Sequence, residues 1–294
     1  MNQKETQQKK AGIVCLVGRP NVGKSTLLNA ILGHKVSITS PKPQTTRFAI
    51  EAVYEDDRGQ IVFIDTPGIF GKAPDQLAKN INKRTTDSLE NNIDVVLYLI
   101  DHTRERDFEE NKALGIVRKI PAQKILVMNK SDITKPDFAV QYRFMEDEFD
   151  KVIHVSALNH KNLNILVEEI FNYLPQRDAL VDTSTLAQPG LNIDSRVYLS
   201  EIIREKAFLF LRKEVPYSLT SVVDEVIERD NGTLYVRGRI LTSADRYKSM
   251  IVGKNGVMIK EIGMAVRKEL EAASNKKVFV ELSVETDTHW ADFV

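Results

Sequence analysis

The nine residues GRPNVGKST, Gly18 to Thr26, constrain this chain more than any others. They follow the apolar run Ile13, Val14, Cys15, Leu16, Val17, which reads as a buried strand, and precede Leu27, Leu28 and Ile31 at the spacing of a helix face. Strand, turn and helix with G-x-x-x-x-G-K-S between them form a phosphate cradle. The glycines let backbone N–H groups turn inward, Lys24 reaches the terminal phosphates, and the helix N-terminus adds the positive end of its dipole. Ser25 is placed to hold Mg²⁺. Asn21, Val22, Gly23, Lys24, Ser25 and Thr26 are therefore expected to bind nucleotide beyond the carboxyl ends of a mostly parallel sheet.

The segments that follow supply what such a loop needs. SPKPQTTRFAI, Ser40 to Ile50, has two prolines and no apolar periodicity, so it reads as a loop. In phosphate-binding-loop GTPases a loop at this place carries a threonine that closes over Mg²⁺ and the γ-phosphate, and a resemblance to them would give that place to Thr46 in preference to Thr45. The strand Ile61 to Ile64 delivers Asp65 toward the metal, and Gly68 brings a backbone N–H to the γ-phosphate. D-x-x-G alone arises about once by chance in a chain this long, so its weight comes from its order after the phosphate loop. Helices are expected over Asp75 to Leu89 and Phe108 to Arg118, and buried strands over Asp94 to Asp101 and Lys124 to Met128. The last of these ends at NKSD. A carboxylate accepts two hydrogen bonds, which suits the N1–H and exocyclic amine of guanine, so Asp132 is read as selecting guanine. Asn129 ties this loop to the phosphate loop, and the stem of Lys130 covers the base. A further strand, Val152 to Val155, leads to Ser156, Ala157 and Leu158, where a backbone N–H is expected to meet the guanine carbonyl. A helix from Leu163 to Leu174 closes the domain at Pro175.

Together these runs resemble the five motifs of translation-factor-class GTPases, which implies GTP or GDP with Mg²⁺ and a doubly wound, mostly parallel sheet. The resemblance assigns catalysis to Lys24, Thr46, Asp65, Gly68 and Asn21, and metal ligation to Ser25, Thr46 and Asp65. Ile69 stands where Ras-like enzymes carry a water-orienting glutamine; an alkyl group cannot orient water, so slow intrinsic hydrolysis is expected. In related GTPases with N-V-G-K, the asparagine corresponding to Asn21 helps hold a potassium ion in the role of an arginine finger.

Composition bounds the setting. The 294 residues carry 41 basic and 41 acidic side chains, so total charge identifies no partner. With Cys15 as the single cysteine, no disulfide closes within the chain and a reducing cytosol is the natural compartment. The apolar run Val95 to Ile100 is far too short to span a membrane. Residues 1–10 read as a polar, disordered tail, 11–176 as the first domain, and the polar stretch 177–194 as a linker lying over the surface.

Residues 195–294 form a second unit. Leu199, Ile203, Ala207 and Leu211 have helical spacing; Ser221 to Ile227 and Thr233 to Leu241 flank an Asp-Asn-Gly turn as a hairpin. IVGKNG then opens a helix striped by Ile259, Ile262, Val266 and Leu270, and alternating Val278, Val280, Leu282 and Val284 form a last strand. Helix, two strands, short helix, G-x-x-G loop, helix and strand is the layout of a smaller α+β type II KH domain. Its loop clamps the backbone of about four unpaired nucleotides. Gly253, Lys254, Asn255 and Gly256 are the candidate RNA contacts, joined by Arg237 and Arg239 on one face of the second strand. Between Arg229 and Lys277 there are 11 basic and five acidic residues, a local excess in a neutral chain.

A GTPase of this kind followed by such a unit resembles the bacterial Era family, whose Pro-Asn-Val-Gly-Lys-Ser, Gln-Thr-Thr-Arg, Asp-Thr-Pro-Gly and Asn-Lys-x-Asp runs stand at Pro20, Gln44, Asp65 and Asn129. The resemblance implies a GTP-dependent factor, expected as a monomer, that binds the 3′ end of 16S ribosomal RNA and the small (30S) subunit, with peripheral association with the inner membrane. Der-type GTPases differ by carrying two GTPase domains and lacking the G-x-x-G loop. An alternative of another class is an RNA adaptor switched by nucleotide, with negligible turnover.

Overall fold

The computed structural model describes residues 9–37, 50–67, 93–185, 195–274 and 276–290. The chain divides into two compact units, Met1–Thr39 with Thr46–Asn192 and Ser40–Thr45 with Ile193–Val294. Thr45, Thr46, Gly68, Ile69 and the helix expected over Asp75 to Leu89 lie outside the described residues.

The first unit holds strands β1 (Lys10–Val17), β2 (Ile50–Asp56), β3 (Gly59–Asp65), β4 (Val95–Asp101), β5 (Gln123–Asn129) and β6 (Lys151–His154) in the order β2-β3-β1-β4-β5-β6. All neighbours run parallel except β2, which pairs antiparallel with β3. Every residue of β3 and β4 is buried, because apolar side chains on both faces meet packing elements. Helix α1 (Lys24–Leu32) buries Leu27 and Leu28, α2 (Phe108–Val117) buries Ala113, Leu114 and Val117, and α3 (Leu163–Tyr173) buries Leu163, Leu166, Val167 and Ile170 at the expected spacing. Asp107 caps α2 by accepting from Glu110 N at 3.0 Å. The edge strand β2 and a ten-residue 3₁₀ segment, Ala139–Glu148, that buries Tyr142 and Met145, lie outside the expected elements.

Both ends of this unit are tied more tightly than a frayed tail and a surface linker would be. Lys10 lies within β1, and its Nζ donates to the Phe171 carbonyl at the end of α3 over 2.8 Å. Arg177 donates to Ala11 O at 2.7 Å and pairs with Asp94. The buried side chain of Gln60 on β3 donates to Val181 O and accepts from Leu180 N and Val181 N at 2.8 to 2.9 Å. Leu180 and Val181 are thus held by one amide side chain. Met1 to Gln8 and residues 186–194 lie outside the described residues.

The second unit runs α4 (Ser195–Phe210), β7 (Leu219–Glu228), β8 (Leu234–Thr242), α5 (Asp245–Val252), α6 (Val257–Ser274) and β9 (Val278–Thr286). Its sheet has the order β7-β8-β9, with β7 antiparallel and β9 parallel to the central strand. Val236, Gly238 and Ile240 of β8 are buried; a Cβ on Gly238 would lie 2.8 Å from Ile203 Cδ1 of α4, which places the helices on that face. Ile262, Val266 and Leu270 of α6 are buried with them.

Candidate nucleotide and nucleic-acid sites

The loop between β1 and α1 turns through Asn21 at φ 64° and Gly23 at φ 102°. Gly23 is required twice over: its φ favours glycine, and a Cβ there would lie 2.3 Å from Asn129 Nδ2. Lys24 is buried, and its Nζ donates to Gly18 O at 3.0 Å and Arg19 O at 3.2 Å. Burial pushes its ammonium down to about 8, while Asp65 and Glu110 work against that shift.

Asp65 ends β3 beside the first turn of α1. Its Oδ2 accepts from Ser25 Oγ at 2.6 Å and Ser37 Oγ at 2.7 Å, whereas the buried Oδ1 has no hydrogen-bond partner among the described residues. Burial raises this carboxyl above the usual carboxylate range, against the pull of Lys24 and the two hydroxyls. A buried carboxylate with one unsatisfied oxygen beside a serine hydroxyl fits Mg²⁺, which takes one or two protein ligands and leaves the rest to phosphate and water. Ser37 was not anticipated. It is fully buried and braced by Asn29, whose Oδ1 accepts from Val36 N and Ser37 N at 2.9 Å, a partnership no local motif announces.

On the base side, Asn129 is buried at the end of β5, its Nδ2 donating to Val22 O at 2.8 Å and its Oδ1 accepting from Ala157 N at 3.1 Å. Asp132 is exposed, with Oδ1 accepting from Ser156 Oγ at 2.5 Å. The amide of Ser156 donates to Lys161 O at 3.2 Å. In this arrangement the N–H groups of Ser156 and Ala157 brace the loop rather than facing outward for a guanine carbonyl, because each is satisfied within the protein. Lys130 pairs with the fully buried Asp101 at 2.5 Å. Burial alone would raise that carboxyl; hydrogen bonds from Lys130 and Thr103 outweigh it and hold Asp101 below the usual range.

Arg19, inside the phosphate loop, also escaped the motif reading. It is fully buried, with Nη1 2.7 Å from Asp107 Oδ2 and Nε 3.0 Å from Glu110 Oε2, both at the start of α2. Tyr98 of β4 donates to Glu110 Oε1 at 2.5 Å. The loop is therefore anchored from below as well as from Asn129.

In the second unit, α5 and α6 meet at Gly253 (φ 73°, ψ 172°), Lys254, Asn255 (φ 53°) and Gly256 (φ 75°). A Cβ on Gly253 would lie 2.7 Å from Met258 Cβ. Lys254 and Asn255 are exposed. Beside the loop's second helix, a groove of about 380 Å³ runs between α6 and β9, lined by Ile259, Gly263, Met264 and Arg267 on one side and Phe279 and Leu282 on the other. The structure does not bring Arg237 and Arg239 to this loop. They alternate with the helix-facing residues of β8 and so stand on the other face. Arg237 pairs with Glu225 at 3.3 Å; Arg239 pairs with Asp224 and Glu285 at 2.8 Å. A bulge between Val223 and Glu225 accompanies the Asp224 contact.

Residues 13–130 match a family described as 50S ribosome-binding GTPase, and residues 214–291 match the KH domain. The GTPase Era of Halothermothrix orenii is 38% identical over 289 residues, 96% of this chain and 95% of that protein. The GTPase Era of Thermotoga maritima is 36% identical over 287 residues, 96% and 94% of the two. A variant of Aquifex aeolicus Era bound to GDP·AlF4⁻ superposes with a TM-score of 0.88 at 35% identity, covering 96% of this chain and 95% of that one. An Era in complex with MgGDPNP and nucleotides 1506–1542 of 16S ribosomal RNA gives the same score, identity and coverage.

Proposed function

This chain belongs to the Era family of GTPases, and from that premise we propose that guanine nucleotide sets how firmly its KH unit holds the unpaired 3′ end of 16S ribosomal RNA during assembly of the 30S subunit. The observation that carries this is the presence in one chain of a Ser25–Asp65 pair suited to Mg²⁺ and a Gly253–Gly256 loop beside an apolar groove. The solved Era with both MgGDPNP and 16S nucleotides, 35% identical over 96% of this chain, supports it.

In this reading the backbone of Asn21 to Thr26 surrounds the phosphates, and Lys24 leaves the Gly18 and Arg19 carbonyls for the terminal ones. Ser25 and Asp65 hold Mg²⁺ with Thr46, and Gly68 N–H meets the γ-phosphate. The metal neutralises phosphate charge when bound. Asp132 reads guanine while Ser156 fixes its orientation. Hydrolysis is slow because Ile69 orients no water. A potassium ion held by Asn21 would supply the missing charge; matched sodium and potassium buffers test this, and equal rates overturn it.

On the RNA side, Gly253 and Gly256 let phosphates approach the backbone, Lys254 contributes charge, and bases lie along the α6–β9 groove. The family resemblance supports a cytoplasmic monomer with peripheral contact at the inner membrane; among the described residues no helix is long and apolar enough to cross one.

The test is fluorescence anisotropy of a labelled oligonucleotide with the 16S 3′-end sequence, titrated with protein saturated by GDPNP or by GDP. Tighter binding with GDPNP, together with an equal strengthening of GDPNP over GDP when RNA is present, is expected from linkage. Equal RNA affinity in the two states overturns the coupling.

A further inference from the structure

Lys130 is one of six non-glycine residues at positive φ among those described, at φ 63°, and it immediately precedes the pair Ser131-Asp132. Such a residue stays left-handed only when its surroundings hold it there. Three contacts do so. Asp101 takes its ammonium, Ile133 N donates to its carbonyl at 2.9 Å, and His102 Nε2 lies 3.1 Å from the same carbonyl. A carbonyl and a carboxylate each only accept, so Nε2 donates to the carbonyl, and the contact of Nδ1 with Asp137 is a hydrogen bond in the imidazolium form. The residue is 8% exposed, and its Nδ1 lies 3.1 Å from Asp137 Oδ1. Asp137 belongs to the segment after the base loop, and Phe138 N donates back to His102 O at 2.8 Å. His102, one residue beyond β4, is thereby pinned from three sides with its ring against the backbone that aims Asp132.

We propose that His102 is a positioning residue for guanine recognition: by holding the Lys130 carbonyl it sets where the Asp132 carboxylate meets the base. This rests on the reading of Asp132 as the guanine contact. None of the GTPase motifs includes His102, and its two ring-nitrogen contacts are to Asp137 and Lys130, not to the phosphate loop.

The experiment measures affinity for GDP and for IDP, whose base keeps N1–H and lacks the exocyclic amine. Wild-type protein that binds GDP no better than IDP refutes the Asp132 reading itself and leaves His102 nothing to position. With that preference in hand, His102→Ala should weaken GDP about tenfold and IDP by no more than about threefold, because a misaimed carboxylate has two bonds to lose with guanine and one with hypoxanthine. His102→Gln, whose amide reaches the same carbonyl, should stay within about twofold of wild type. Asp137 is 54% exposed, so Asp137→Ala keeps the fold should the alanine variant at 102 fail to form it; a smaller loss in the same GDP-selective sense is expected. Equal losses for GDP and IDP, or a glutamine variant as weak as the alanine one, overturn the proposal.

Discussion

Asn129 donates from Nδ2 to the Val22 carbonyl across 2.8 Å, joining two loops that lie 107 residues apart in the chain. In the proposed reading one grips phosphate and the other reads the base, so a shared bond would locate the two halves of a nucleotide. Asn129→Ala leaves Val22 O and Ala157 N without this partner in a buried setting. Each such loss costs about 1–3 kcal/mol. GDP affinity should fall roughly 10- to 100-fold in isothermal titration, with a lower melting temperature for the nucleotide-free protein.

Gly23→Ala strikes the same contact from the other side. A methyl at φ 102° costs roughly 1–2 kcal/mol of backbone energy and occupies the place of Asn129 Nδ2. GDP affinity should drop at least about tenfold. Combined with Asn129→Ala the effects should be strongly non-additive, since the displaced amide is already gone. Simple additivity in a double-mutant cycle would separate the two residues.

Lys24 gives a pH signature. Its folded-state value is about 8, against 10.5 for the unconstrained side chain. Below both values each state keeps the proton and the folded state bears the cost of a buried cation. Between them the unfolded chain binds more protons, so folding is favoured as pH rises. The gain is about 3 kcal/mol across that window. Urea unfolding of the nucleotide-free protein, compared with Lys24→Met at each pH, should show the difference growing from pH 8 to 10.5. A pH-independent difference would refute the assignment.

For the second unit, Gly253→Asp places a side chain against Met258 and a negative charge where phosphate is expected. RNA binding should be abolished while GDP affinity stays as in the wild type. Lys254→Ala should weaken RNA and lower the salt dependence by about one phosphate contact. Arg239→Ala should leave RNA affinity within about twofold, because that guanidinium is committed to Asp224 and Glu285. An Arg239 variant as impaired as the Lys254 one would return the arginine face to the RNA path.

Much was legible in the amino acids because the relevant chemistry is local. Nine consecutive residues make the phosphate loop; the strand ending at Asp65, the NKSD run and the GKNG turn each declare themselves within one segment. The fold class followed from their order, since a strand feeding such a loop places ligand at a sheet's carboxyl edge. Strand β2 lay outside the sequence reading because it is an edge strand carrying charged residues, specified by pairing with β3 rather than by its own alternation.

The sequence by itself thus determined the GTPase family and which residues turn a G-x-x-G loop, because runs of covalent neighbours suffice for both. Tertiary structure decided their company. Ser37 meets Asp65, Arg19 meets Glu110, His102 meets Lys130, and Gln60 holds Leu180 and Val181, all across long stretches of chain. It also decided what the basic excess between Arg229 and Lys277 means. Asp224, Glu225, Glu228 and Glu285 lie outside that window yet pair with Arg239, Arg237 and Lys276 inside it. Charge acts through space, and a count along the chain cannot see a carboxylate that a neighbouring strand brings alongside.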